Sequence, residues 1–197
     1  MTGVQTCALP ICSNSHIAAL CDELSSTYNQ LKVFHQINSG VSCARNKGLF
    51  NSIGKYIVFV DPDDYVLDDL FKSNIFSTSN TDVILFKFVR ETNKCGTADF
   101  GLETDMLNID SKEDIIRNIL FLPNSFDLYV MGSIWGKAFK KDFLVGNDMS
   151  FNPSLWKSED RIFMLYAIDK ANSIEYVDIP AYVYFENAQS TCRSYRP

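Results

Sequence analysis

Tyr56-Ile57-Val58-Phe59-Val60-Asp61-Pro62-Asp63-Asp64 runs five apolar residues straight into three carboxylates. β-Branched and aromatic side chains in succession predict a strand covered on both faces, the habit of parallel α/β sheets. Ligands of such sheets sit at the carboxyl ends of the strands. Acids gathered there make a hard-oxygen site suited to Mg²⁺ or Mn²⁺ and, through the metal, to a diphosphate. A helix start accounts for the same residues: Asp61 as N-cap, Pro62 in the first helical position, Asp63 and Asp64 against the positive end of the helix dipole.

The upstream segment favours the ligand site. Leu31-Lys32-Val33-Phe34-His35-Gln36 predicts another strand and Asn38-Ser39-Gly40 a turn. Residues 41–53 predict a helix with Val41, Ala44, Leu49 and Ile53 as its apolar stripe and Gly54 as its stop. Strand, helix and strand with short joints predict a parallel βαβ unit with a right-handed crossover. That geometry sets the Asn38-Ser39-Gly40 loop and the acids on one sheet edge. The N–H groups near Val41 and Ser42 then favour an anion beside the acid cluster.

Asn38-Ser39-Gly40-Val41-Ser42-Cys43-Ala44-Arg45-Asn46-Lys47-Gly48, followed by Gly54-Lys55-Tyr56-Ile57-Val58-Phe59-Val60-Asp61-Pro62-Asp63-Asp64, closely resembles family 2 glycosyltransferases of the GT-A fold. Trp135-Gly136-Lys137, Ser158-Glu159-Asp160 and Tyr182-Val183-Tyr184 extend the resemblance over most of the chain from Ser13 onward. It implies an α/β, Rossmann-like fold that binds a nucleotide-diphospho-sugar, UDP-sugar favoured. Asn38, Gly40, Arg45 and Asp61 would hold the nucleotide. Asp63, with Asp61 or Asp64, would hold Mg²⁺ or Mn²⁺, Asp61 bridging ribose and metal.

On local pattern alone Ser158-Glu159-Asp160 reads as a helix start, with Ile162, Phe163 and Tyr166 as the packed face. The resemblance makes Asp160 the catalytic base and gives Glu159 an orienting role. Trp135 offers a ring that can stack on an acceptor sugar or fill the core, and Lys137 a charge for a phosphate or for solvent. Lys47, beside Arg45, is open to the same two readings, and His16 and His35 are read as structural. The reaction implied is inverting sugar transfer to a saccharide or lipid-linked acceptor of a bacterial surface glycan, at the cytoplasm or the inner face of the cell membrane. The rivals are a sugar nucleotidyltransferase and a non-catalytic nucleotide-binding fragment.

Composition narrows the classes. With 197 residues, 46% of them hydrophobic, the chain can bury one core. A net charge of −6 argues against a nucleic-acid partner. No apolar run reaches the ~20 residues of a membrane helix. The six cysteines form no Cys-x-x-Cys pair and suit free thiols in a reducing compartment.

Residues 1–11 show neither helical nor strand period and lack the basic start of a signal peptide. They back-translate, with permitted codons, into a common sequencing-library adapter, so they are read as a non-native leader. Residues 12–197 are read as a single GT-A domain lacking the family's first β-α-β portion, a fragment expected not to turn over alone. Ser13-Asn14-Ser15 would be the tail of the family's nucleotide-binding turn. Residues 16–28 are expected as a helix with Ile17, Leu20, Cys21 and Leu24 inward. Residues 65–75 read as a helix, 82–89 as a strand and 91–102 as a hairpin or loop. Ser111 opens a helix in a capping-box arrangement with Asp114, burying Ile115, Ile116, Ile119 and Leu120. The family's arginine after its late Tyr-x-Tyr is replaced here by Phe185, leaving Arg193 or Arg196 as substitutes.

Overall fold

A computed structural model describes residues 6–8, 15–92, 111–120 and 130–186. Helix α1, Ser15–Thr27, leads to strand β2, Leu31–Val33, which pairs in parallel with β1, Thr6–Ala8. β1 falls within the leader, whose sequence has no strand period. Backbone groups of an edge strand accept any chain laid along them, so pairing does not require a side-chain pattern. The expected inward stripe of α1 is largely exposed at Ile17, Leu20 and Leu24.

Helix α2, Gly40–Asn51, starts from a left-handed Gly40 (φ 83°) and buries Ser42, Ala44 and Leu49. It ends at Ser52, whose amide and hydroxyl both return to the carbonyl of Gly48 (3.0 and 2.7 Å), rather than at Gly54. Val41 and Ile53, expected in the stripe, are exposed.

Strand β3, Tyr56–Val58, corrects the βαβ expectation. Its ladder partner is β6, Lys137–Lys140, and the pair is antiparallel. Among the described residues no ladder joins β2 to β3, and the two lie in separate sheets. A strand's neighbour is chosen by what buries it. β6 is buried along nearly its whole length and offers β3 that cover, while β2 is only half-buried.

The acids after β3 do not start a helix either. Residues 61–64 form a turn closed by the Asp64 amide on the Asp61 carbonyl (3.1 Å). The segment expected as one helix divides into β4, Tyr65–Val66, and the short helices α3, Asp68–Lys72, and α4, Ile75–Thr78. Its first residues are captured by β7, Ile174–Glu186, through the β4 ladder and the Leu67 amide on the Ala181 carbonyl (3.0 Å).

The main sheet has five strands in the order β3-β6-β5-β7-β4, with β5 spanning Val83–Thr92. β5 runs parallel to β7 and antiparallel to β6. Its apolar run is covered on both faces. Val83 and Leu85 join a core built with α5, Lys112–Leu120, α6, Lys141–Gly146, and α7, Glu159–Lys170. Ile84 and Phe86 face a second cluster with Leu70, Ala138 and Ala181. This alternation is the period-two geometry of a strand. Ser111 closes its capping box on Asp114 in both directions, Oγ to Oδ2 at 2.7 Å and the Asp114 amide to Oγ at 3.1 Å. Ile115 and Ile119 are buried as expected, whereas Leu120 is exposed. On α7, Phe163 packs inward with Met164, Ala167 and Ile168, while Ile162 and Tyr166 are exposed. Most of the expected loop at 91–102, and Arg193 and Arg196, lie outside the described residues.

Candidate active site

Arg45 is the side chain that gathers the site. It projects from α2, is 14% exposed, and donates from Nη2 to Asp61 Oδ1 (3.1 Å) and from Nη1 to Glu159 Oε1 (2.9 Å). One guanidinium thus fastens the acid turn after β3 to the first turn of α7. Its plane lies against the Phe151 ring, 5.4 Å from the centroid. The next residue repeats the link through the backbone. Asn46 Nδ2 donates to the Phe151 carbonyl and Asn46 Oδ1 accepts from the Phe151 amide, both at 2.8 Å. The Ala44-Arg45-Asn46 motif therefore clamps the loop that delivers Glu159 and Asp160.

The acid turn is anchored from the other side by Tyr182 of β7. Its hydroxyl accepts from the Asp61 amide (3.2 Å) and donates to Asp64 Oδ2 (2.5 Å). Asp64 Oδ1 takes the Phe185 amide (2.9 Å). Asp64 therefore holds the turn to the sheet, and Asp61 is engaged by Arg45. Asp63 is left exposed between them. Among the described residues no three acidic, His or Cys side chains converge tightly enough to cage a metal. The donor set still has the chemistry of a hard cation, because the carboxylates crowd one another. Burial pushes Asp61 up despite Arg45, and Asp63 and Asp160 push it further. Burial also pushes Asp64 up against its two hydrogen bonds, with Asp63 and Asp61 adding to it. A divalent ion at Asp63 would relieve that unbalanced charge.

Asp160 is the second acid of α7. Burial raises its pKa first and the Glu159 charge next, against the Arg161 amide (2.7 Å), Arg45 and Lys137. Ser158 precedes it as N-cap in the left-handed region (φ 62°), with no side-chain cap bond. The turn is thus held by Arg45 on Glu159 rather than by the expected serine cap.

Other expected site residues fall elsewhere. Asn38 Oδ1 accepts from the Gly40 amide (3.1 Å), a local turn, and no hydrogen bond or ion pair joins Asn38 or Gly40 to the acids. Lys47 rests over the Phe34 ring, 5.7 Å from its centroid. Trp135 is 7% exposed, stacked on Tyr182 (4.9 Å) and Tyr184 (5.3 Å) with Phe88 edge-on, so its faces are used by the core and none is offered to a sugar. Lys137 is buried and cannot be a solvated or phosphate-facing charge. Sequence reasoning assigned no role to Asn46 or Tyr182, although both stand in the quoted motifs. It also passed over Trp156, which is 71% exposed, carries Lys157 Nζ 4.7 Å from its ring centroid and lies just upstream of the acid pair. No local signal separates an exposed tryptophan from a buried one.

Known proteins are similar to this chain in sequence and in overall fold. The chain is 26% identical over 183 residues to EpsH of Bacillus subtilis (strain 168), which bears a glycosyltransferase name, covering 90% of this chain and 51% of EpsH. It is 27% identical over 177 residues to the poly(ribitol-phosphate) beta-N-acetylglucosaminyltransferase TarS of Staphylococcus aureus (strain MW2), covering 88% and 28%. The crystal structure of S. aureus TarS 1–349 in complex with UDP-GlcNAc superposes with a TM-score of 0.73 at 24% identity, covering 99% of this chain and 53% of that one. The chain spans about half the length of the first curated relatives it matches. The likeness to TarS gives the fold, GT-A. Residues 12–141, which include α2 and the acid turn, match the description Glycosyl transferase family 2, and this chain belongs to that family.

Proposed function

We propose that this cleft transfers a sugar from a nucleoside-diphosphate donor, UDP-sugar favoured, to a hydroxyl of a growing surface glycan, with inversion at the anomeric carbon. The observation that supports the reading is Arg45, whose two ion pairs tie the acid turn to the first turn of α7, which carries Glu159 and Asp160. A donor bound at the turn and an acceptor at the pair would then meet on opposite sides of the reacting carbon. The UDP and UDP-GlcNAc named in the TarS structures support a uridine donor.

Asp160 accepts the proton of the acceptor hydroxyl, and its raised pKa brings it closer to the working pH of a general base. Glu159, tied to Arg45, holds the first turn of α7 while Asp160 faces the acceptor. Asp63 would hold Mg²⁺ or Mn²⁺, hard cations that suit a carboxylate oxygen, and such an ion would supply charge neutralisation for the departing diphosphate. Asp61 and Asp64 keep the turn in shape through Arg45 and Tyr182. Trp156 replaces Trp135 as the acceptor-side aromatic, since its indole is open to a sugar face. Among the described residues no helix is long and apolar enough to cross a membrane, and action at the cytoplasmic face of the membrane is part of the proposal.

Transfer and UDP binding, measured together on the protein and on Asp63→Ala and Asp160→Asn, test it. Asp160→Asn should abolish transfer and leave UDP binding within about twofold, and Asp63→Ala should weaken both. UDP binding without turnover in the unmutated full-length protein would point to a binding module instead. Pyrophosphate release from a nucleoside triphosphate would point to a nucleotidyltransferase.

A further inference from the structure

The start of β3 and the end of β6 gather positive charge at the end of the sheet away from the acid turn. Lys140 stands opposite Tyr56 in the β3–β6 register, and the Lys141 amide donates to the Lys55 carbonyl (2.8 Å). Lys55, Lys140 and Lys141 are thus neighbours through the backbone. The Lys141 ammonium donates to the Ser52 carbonyl and the Lys55 ammonium to the Ser79 carbonyl (2.7 Å). A carbonyl takes one of an ammonium's three protons and leaves its charge in place. The acids nearby are Asp142 on α6 and Asp82, whose Oδ2 takes the Asn172 amide (2.8 Å). Among the described residues no ion pair joins either of them to the three lysines.

Apolar side chains stand exposed among these cations. Ser52, which Lys141 reaches, ends α2, and the flanking Phe50 and Ile53 are 69% and 73% exposed. Val145, four residues after Lys141 on α6 and therefore on the same face, is 60% exposed. A single exposed hydrophobe is ordinary. Apolar side chains clustered with lysines, in a chain of net charge −6, make the composition of a bilayer-interface contact. A symmetric pairing with a second copy would set this patch against itself, lysine against lysine. Anionic headgroups over an apolar layer complement both of its features.

We propose that this end of the sheet docks on an anionic bilayer surface, with Phe50, Ile53 and Val145 entering the headgroup layer and the three lysines over lipid phosphates. The proposal deepens the reading of transfer at the inner face of the membrane and rests on it for its purpose. The acid turn follows the other end of β3, so docking here leaves the donor side open to solvent.

Co-sedimentation of the 197-residue chain with vesicles tests it, phosphatidylglycerol mixed into phosphatidylcholine being compared with phosphatidylcholine alone. The chain should bind the mixed vesicles and release them in high salt. Lys55→Gln with Lys140→Gln should weaken binding by about fivefold per lysine. Phe50→Ser, at an exposed position that the core does not use, should weaken it by about tenfold. Circular dichroism melting checks that each variant folds. Equal binding to both kinds of vesicle, or variants that bind within about twofold of the unmutated chain, would overturn the proposal. So would a dimer that Phe50→Ser dissolves in a chain that binds no vesicle, which would give the patch to a second copy. Binding is read with no donor or acceptor present. Patch variants that keep it sink this surface and leave the transferase reading intact, whereas a vesicle-bound full-length protein that transfers no sugar upholds the surface and sinks that reading.

Discussion

Replacing Arg45 by methionine keeps most of the volume of the side chain and removes the charge that joins both halves of the site. Two charge-assisted hydrogen bonds, at 2.9 and 3.1 Å, disappear. Glu159, 12% exposed, is left as an unpaired and largely buried carboxylate. Asp61 is 31% exposed and can recover part of its hydration. Bonds to charged groups contribute ~1.5–3 kcal/mol each, and breaking a fully buried pair costs ~3–5, so the partly open geometry here points to a loss of about 2–4 kcal/mol. In a protein of this size that corresponds to a fall in Tm of roughly 5–15 °C. Burial pushes the Asp61 carboxyl up, so the part of the penalty that comes from its charge should shrink as it protonates. Urea denaturation at pH 7 and at pH 4.5 measures both features. A double-mutant cycle with Glu159→Gln should return a coupling of about 1–3 kcal/mol. A loss below about 0.5 kcal/mol at pH 7, or an equal loss at the two pH values, would refute the clamp.

Other substitutions read out the remaining supports. Tyr182→Phe removes the hydroxyl that bonds both the Asp61 amide and Asp64, and should cost about 1–3 kcal/mol in chemical denaturation. Lys137→Met should stabilise the protein. Its folded pKa lies below the unfolded value, so the folded state binds fewer protons and stability falls as pH drops from 10.5 toward about 7. Since one pKa unit is worth about 1.4 kcal/mol, the gain at pH 7 is bounded at about 5 kcal/mol, and it should vanish above pH 10.5. Asp160→Asn should also stabilise at neutral pH. The raised pKa of Asp160 means that its burial disfavours folding once both states are ionised, and the effect fades as pH falls through the folded pKa toward 3.8.

Local pattern made the motifs of this chain legible but left their joints hidden. The helix at 40–51, the acids at the strand end, the capping box at Ser111 and the first turn of α7 are written within a few residues each. Arg45 read as a phosphate ligand because its partner Glu159 lies 114 positions away in the chain. The parallel pairing of β2 with β3 was expected from proximity in sequence, whereas β6, some 80 residues on, supplies the burial that chooses β3's neighbour. The acid turn satisfied the composition of a helix start, and its escape into β4 is dictated by the distant Ala181 and Tyr182. Local pattern does not separate Trp135 from Trp156 for the same reason, since three aromatic neighbours from β5 and β7 enclose the first and the second is exposed.

The cleft itself is tested most directly by its response to a paramagnetic ion. Mn²⁺ added together with UDP should broaden the amide signals of residues 61–65 most strongly and those of residues 159–161 next, and Asp63→Ala should abolish both effects. Broadening centred elsewhere, confined to one of the two segments, or unchanged in Asp63→Ala would contradict a shared site for the acid turn and the acid pair.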